Sequence, residues 1–268
     1  MSISTRFHKN PMQELTHPEC LTLAKHLGDT PMTVIAAARL QQGMCRAFVS
    51  KAGEDAPVAA LVFDECCPEE PIGFGTDANA LWTLLKPQDG WSCVNVNAEC
   101  AEPLGKRMAA EMGQTVRYYG DVCHALLEPV RVHSNAAVRL LTAADIALLS
   151  DAPKAVQGNG YKTATEMVTD GIAAAAIVEG KIVAIAHVYA ETHLHADIGV
   201  STLDEWRGNG FATAAASLVA ERIQARGKVP AWSCGEDNAA SLRVAQKLGF
   251  TEIDRRIYVI PDSAPPLP

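Results

Sequence analysis

Arg207-Gly208-Asn209-Gly210-Phe211-Ala212 is the stretch whose residue types and spacing lend themselves most directly to chemistry. Two glycines within three residues let the backbone turn tightly, and the apolar stripe that begins at Phe211 predicts a helix directly after them. Backbone N–H groups of the turn and of the first helical residues then converge on one point at the positive end of a helix dipole, and Arg207 adds a full charge. Such a cradle takes a phosphate or pyrophosphate, with the dipole contributing about 0.3–2 kcal/mol beyond the hydrogen bonds. Taken alone, a glycine pair is more often an ordinary connecting turn. Gly208-x-Gly210 also begins a dinucleotide fingerprint, but Thr213 occupies the third glycine position, and Lys228 and Val229 fall where a ribose-binding carboxylate belongs.

Other reactive side chains carry weaker signals. Glu191 and Asp197 are carboxylates at strand ends, placed either to accept a proton or simply to be solvated. His193 and His195 alternate on one face and with His187 make a conceivable metal set, yet exposed strand-end histidines are commoner and no metal is expected. Tyr161 follows the flexible Gln157-Gly158-Asn159-Gly160 loop. The eight cysteines lack any C-x-x-C pair, so zinc spacing is absent and reduced, mostly buried thiols are expected.

The elements that position these residues follow from local pattern. Val138 to Thr142 reads as a strand and Ala143 to Ser150 as a helix capped by Thr142, with Asp145 three residues on. Ala174 to Val178 and Ile182 to Tyr189 form a hairpin turning at Gly180, and Ala196 to Ser201 is a third strand. After the glycine loop comes a helix from Phe211 to Arg226, with stripe Phe211, Ala215, Leu218 and Ile223, and then a strand from Val229 to Cys234. Asn238 caps a second helix that ends at Leu248 before Gly249, and a last strand pair runs from Thr251 to Ile260.

The first half repeats this pattern. Trp91-Ser92-Cys93 leads to a helical stretch, Ala101 to Met112, stopped by Gly113, as Trp232-Ser233-Cys234 leads to the helix stopped by Gly249. Arg46 to Asp64 resembles the hairpin Ala175 to Ala190. The corresponding loop region, Pro71 to Leu85, has glycines but no Arg or Lys before Lys86. The chain is thus expected to divide into a lobe over 1–130, a second domain over 137–260, and a disordered tail, 261–268, that holds four prolines.

Composition bounds the function. With 268 residues, 48% of them hydrophobic, and a formal net charge of −8, the chain is an ordinary packed protein with no broad attraction to nucleic acid or anionic lipid. Residues 1–12 lack the apolar core of a signal peptide, and the most apolar stretch, Gly171 to Val188, carries Glu179 and Lys181, so neither export nor a membrane span is expected and a cytoplasmic location follows.

Strand, R-x-x-G-x-A, amphipathic helix, strand, and N-x-x-S opening a helix that ends in L-G-F resembles the GNAT superfamily of N-acetyltransferases over residues 137–260. The resemblance implies an α/β (α+β) fold of two GNAT-like lobes, each a mixed, mostly antiparallel sheet flanked by helices. The first lobe would have lost its cofactor loop and would wall the substrate cleft.

The resemblance further implies acetyl-CoA with its pyrophosphate on Arg207, Gly208, Asn209, Gly210, Phe211, Ala212 and Thr213, and its pantetheine arm beside Ile198, Gly199, Val200 and Ser201. Asn238 and Ser241 match the second signature helix, and Tyr161 and His193 fall where the acceptor would be lined. The implied activity is direct acetyl transfer to the amine of a small molecule, with Asp197 or Glu191 as base and a strand N–H such as that of Val200 polarising the thioester carbonyl. Oligomeric state is left open. Family members often carry a tyrosine acid four residues after the Ser241 position, where this chain has Ala245, and that departure keeps a non-catalytic acyl-CoA sensor or scaffold as the alternative.

Overall fold

A computed structural model describes residues 13–51 and 57–264. Its first-half elements are α1 (His17–Leu27), α2 (Val34–Gln42), β1 (Cys45–Lys51), β2 (Pro57–Asp64), β3 (Ile72–Phe74), α3 (Ala78–Leu85), β4 (Val94–Asn97), α4 (Ala98–Met112) and β5 (Val116–Ala125). The second half adds β6 (Val138–Leu140), α5 (Ile146–Ser150), α6 (Ala164–Thr169), β7 (Ala173–Val178), β8 (Lys181–Glu191), β9 (His195–Thr202), α7 (Phe211–Ala225), β10 (Val229–Gly235), α8 (Ala239–Leu248) and β11 (Thr251–Pro261).

Contacts divide the chain into two units. One comprises Ala36–Val122 with the described parts of 1–28 and 254–268; the other comprises Asp29–Ile35 and Cys123–Ile253. Two segments therefore cross the sequence order. The last residues join the first unit because the expected terminal strand pair is one eleven-residue strand, β11, whose Arg256 to Val259 pair with Asn97 to Val94 of β4. The tail residues 265–268 and the N-terminal residues 1–12 lie outside the described residues.

In the first unit the strand order is β1-β2-β3-β4-β11, antiparallel except where β3 and β4 run parallel at Ile72 and Asn95. Leu81, Leu84 and Leu85 of α3 and Leu104 and Met108 of α4 pack on Leu61, Phe63, Val94 and Val96, while Leu23 and Leu40 of α1 and α2 pack with Ala47, Val49 and Val62.

In the second unit the order is β10-β9-β8-β7-β6. Period-two alternation sorts its side chains: Ala174, Ala186, Val188, Ala196 and Ile198 pack with Ala215, Ala216, Val219, Ala220 and Ile223 of α7. Ala173, Ala175 and Ile185 face the other way, toward Leu149 of α5 and Met167 of α6. Covered on both faces, β7 and β8 read as continuous apolar runs rather than as alternation. The buried stripe of α7 is richer in alanine than the sequence suggested, and Leu218 sits at its rim. Ala143–Asp145 is a 3₁₀ turn leading into the five-residue α5 rather than one helix, and Thr142 and Asp145 form the expected capping box.

Candidate active site

The glycine loop closes onto α7 as a backbone cradle. Gly210 is the N-cap of α7 in the left-handed region, φ 76° and ψ 6°, and Gly208 has φ 84°. A Cβ at either glycine would meet nothing within 4 Å, so backbone conformation, not crowding, calls for glycine there. The α7 ladder starts with Ala214 N–H donating to Gly210 O at 3.0 Å, which leaves the N–H groups of Phe211, Ala212 and Thr213 ahead of it. Among the described residues no side chain caps this end. Arg207 is exposed and pairs with Asp204 at 2.7 Å, a contact that a stronger anion can displace. Asn209 braces the turn by donating from Nδ2 to Trp206 O at 3.0 Å, and Trp206 packs against Phe211, with ring centres 6.3 Å apart.

Beside the cradle the sheet splits. β9 and β10 pair in parallel only at His195–Val229, Ala196–Pro230 and Asp197–Ala231. β9 stays paired to β8 as far as Thr202, so Ile198 to Thr202 have a neighbour on one side and, from β10, none on the other. Alternate residues there turn N–H and C=O toward the space that β10 has left. Ile198, Gly199, Val200 and Ser201 all lie on this open edge, which leads to the cradle.

Asp197 is buried at the apex of the split, and since Ala196 and Ile198 face α7, its side chain faces the opposite side of the sheet. On that side His187, directly across from Gly199, lies with its ring over the glycine; a Cβ on Gly199 would come within 2.8 Å of the ring. The loop ahead of Tyr161 is held by the same imidazole, whose Nε2 lies 3.2 Å from both the backbone nitrogen and Oδ1 of Asn159. Nδ1 of His187 is buried and finds no hydrogen-bond partner among the described residues. Burial lowers the imidazole pKa to about 4, outweighing the opposing hydrogen bond from the Asn159 backbone, so the ring is neutral at pH 7. Tyr161 is half-buried and lines a cavity of about 270 Å³ beside this loop.

Glu191 and His193 are not brought to the cradle. Both sit at the far end of β9, whose seven steps from His195 to Thr202 span about 23 Å. Glu191 lies 2.5 Å from Lys228 Nζ and 3.6 Å from Arg226 Nη1, and His193 is exposed in the turn between β8 and β9. Nor do the histidines converge: Nδ1 of His195 lies 2.7 Å from Asp29 Oδ1, while His187 serves Asn159. Asp29 also accepts from Thr192 Oγ1 at 2.6 Å and Leu194 N–H at 2.9 Å. Burial pushes the Asp29 carboxyl up, but the hydrogen bonds from Thr192, His195 and Leu194 outweigh it and hold the group below the usual carboxylate range. Neither Asp29 nor the Asn159–His187 contact was found from sequence, because both join segments far apart in the chain.

Asn238 caps α8 by accepting Ser241 N–H at 3.0 Å, and Ser241 Oγ takes the Trp232 indole N–H at 3.0 Å. Both signature side chains are thus engaged in seating α8 against β10. Ala245 is fully buried in the core.

Residues 132–258 match the family model for GNAT acetyltransferases. An uncharacterized N-acetyltransferase of Bacillus subtilis, YdfB, is 36% identical over 61 residues, a match spanning 23% of this chain and 23% of the relative. Among solved structures, a GCN5-related N-acetyltransferase-like protein from Streptococcus suis superposes with TM-score 0.66 at 20% identity, covering 92% of this chain and all of that one. A tandem GNAT protein from the clavulanic acid biosynthesis pathway gives TM-score 0.53 at 16% identity, over 95% and 98% of the two chains.

Proposed function

We propose, from the match of residues 132–258 to the family model for GNAT acetyltransferases, that the protein is an acetyl-CoA-dependent N-acetyltransferase acting on the amine of a small molecule. The observation that carries this reading is the split of β9 from β10 beyond Asp197, an unpaired backbone edge that ends at an uncapped helix N-terminus. A pyrophosphate fits the N–H groups of Gly208 to Thr213 with Arg207 beside them, and an extended amide-bearing arm fits the edge Ile198–Ser201 as an added strand does.

Residues of this chain then divide the work. A backbone N–H on the open edge, such as that of Val200, polarises the acyl carbonyl. Asp197 takes the proton of the amine, directly or through water, since it stands at the apex of the split on the face toward Tyr161, whereas Glu191 is committed to Lys228 and Arg226. The neutral amine attacks the carbonyl, the C–N bond forms, the C–S bond breaks, and the thiolate leaves. With a thiol pKa of about 8.5 that departure needs little acid, so Ala245 in place of a tyrosine is tolerable. The first unit binds no acyl-CoA in this reading.

A second reading, an acyl-CoA sensor without turnover, is favoured by Ala245 alone. Calorimetry with acetyl-CoA, set beside thiol release with a panel of amines, separates the two. Binding with turnover supports the transferase, binding with no turnover supports the sensor, and absence of binding overturns both.

A further inference from the structure

The cavity beside Tyr161 has a charge pattern that the rest of the chain does not prepare. Its volume is about 270 Å³, at the lower edge of the ~300–1,000 Å³ of drug-sized ligand pockets, so it suits an amino-acid-sized group rather than an oligosaccharide or a polypeptide. Leu149 and Met167 supply apolar wall, Ser150 and Thr163 supply hydroxyls, and Lys162 is the one charged residue among those that line it. Among the described residues no carboxylate lines it, in a chain whose net charge is −8. The nearby Glu166 is turned to accept the Lys162 backbone N–H at 3.0 Å, and Gln157 Nε2 is spent on the carbonyls of Ser150 and Ala152 at 2.9 and 2.8 Å.

The cavity is also coupled to the open edge of β9. Gly158 lines it, and a Cβ there would lie 3.2 Å from the His187 ring, the same ring that rests on Gly199. One buried imidazole, with Nδ1 unpartnered, separates the cavity from the strand where transfer is placed.

We propose that this cavity seats the non-reacting end of the acceptor and that this end is anionic, a carboxylate of amino-acid type held by Lys162. The inference rests on the transferase reading above and narrows its acceptor. An amine with a second ammonium group would set like charge against Lys162, whereas a carboxylate gains a charge-assisted contact and a donor from the Thr163 hydroxyl, whose oxygen accepts the Glu166 N–H and leaves its proton available.

The test compares leucine and phenylalanine with their amides and with putrescine, in thiol-release assays at saturating acetyl-CoA on the full chain. Direct titration of leucine and leucinamide is run alongside, so that the answer does not depend on turnover. The expected result is at least a tenfold advantage in kcat/KM, or in affinity, for the carboxylated amine over its amide, lost in Lys162→Ala and Lys162→Met through KM rather than kcat. Preference for the amide or the diamine overturns the proposal, as does an advantage that persists in both variants, or the absence of binding by any carboxylated amine. Acetyl-CoA affinity on the same proteins keeps the two levels apart: if acetyl-CoA binds and amines are turned over without regard to charge, the anionic acceptor fails and the transferase stands.

Discussion

Asp77 and Gly210 stand at the same place in two helices and fill it in opposite ways. Asp77 is the N-cap of α3, and its Oδ1 accepts the N–H groups of Asn79 and Ala80 at 2.9 and 3.0 Å, so that helix end already holds an anion of its own. Gly210 is the N-cap of α7 and brings no side chain at all.

One acetyl-CoA per chain is the expected stoichiometry. Gly210→Asp introduces a self-capping carboxylate and should weaken acetyl-CoA binding at least a hundredfold, while Asp77→Gly should add no second site, because the turn itself carries no Arg or Lys and the nearby Arg256 is buried and engaged with the carbonyls of Gly73 and Asn95. Gly210→Ala keeps the space open but strains φ, and a loss of about 1 kcal/mol in stability is expected with weaker effects on binding. Calorimetric stoichiometry and affinity decide; two sites in the wild type would sink the distinction between the helices.

The two carboxylates should part in kinetics. A primary amine with a pKa of about 10.4 is neutral about once in 2,500 molecules at pH 7, a handicap of roughly 4.6 kcal/mol. Asp197→Asn is therefore expected to lower kcat about a hundredfold or more and to remove the acidic limb of the pH profile. Glu191→Gln should leave both intact and instead lower stability by about 1 kcal/mol, through the uncompensated Lys228. The reverse pattern would move the base to the far end of β9.

His187 makes stability depend on pH in a definite direction. Its folded pKa, about 4, lies below the unfolded value, near 6.5, so between these limits only the unfolded chain takes up the proton. Stability is fully present above about pH 6.5 and falls as pH drops toward 4, by up to about 3 kcal/mol. His187→Gln should flatten that part of the curve in urea titrations from pH 7 to 4.5. Gly199→Ala drives a methyl group into the same ring and should destabilise the chain at every pH.

Asp29 ties a segment of the first half to the turn between β8 and β9. Asp29→Ala strands three donors and is expected to lower stability by about 2 kcal/mol, seen as a reduced urea midpoint with an unchanged m-value. Residues 137–268 expressed alone lack this anchor and the β4 partner of β11. They should melt well below the full chain; an equal melting temperature would contradict both assignments.

What the amino-acid sequence determined by itself is what depends on near neighbours. The cradle was legible because positive φ at Gly208 and Gly210 and a helix beginning at Phe211 are properties of six consecutive residues. The caps at Thr142 and Asn238 and the stop at Gly249 were legible for the same reason. What only the tertiary structure decided is which side chains meet across strands. The register shift between Val188 and Ala190 changes the alternation of β8 at a point that no local pattern marks. Glu191 and Asp197 look alike as strand-end acids until pairing sends one to Lys228 and buries the other at the split. Asp29 reaches His195 from 166 residues away, and a single-sequence pattern carries no register for such a contact. Local backbone preference wrote the cradle; long-range pairing wrote the sheet face that carries Asp197 and His187.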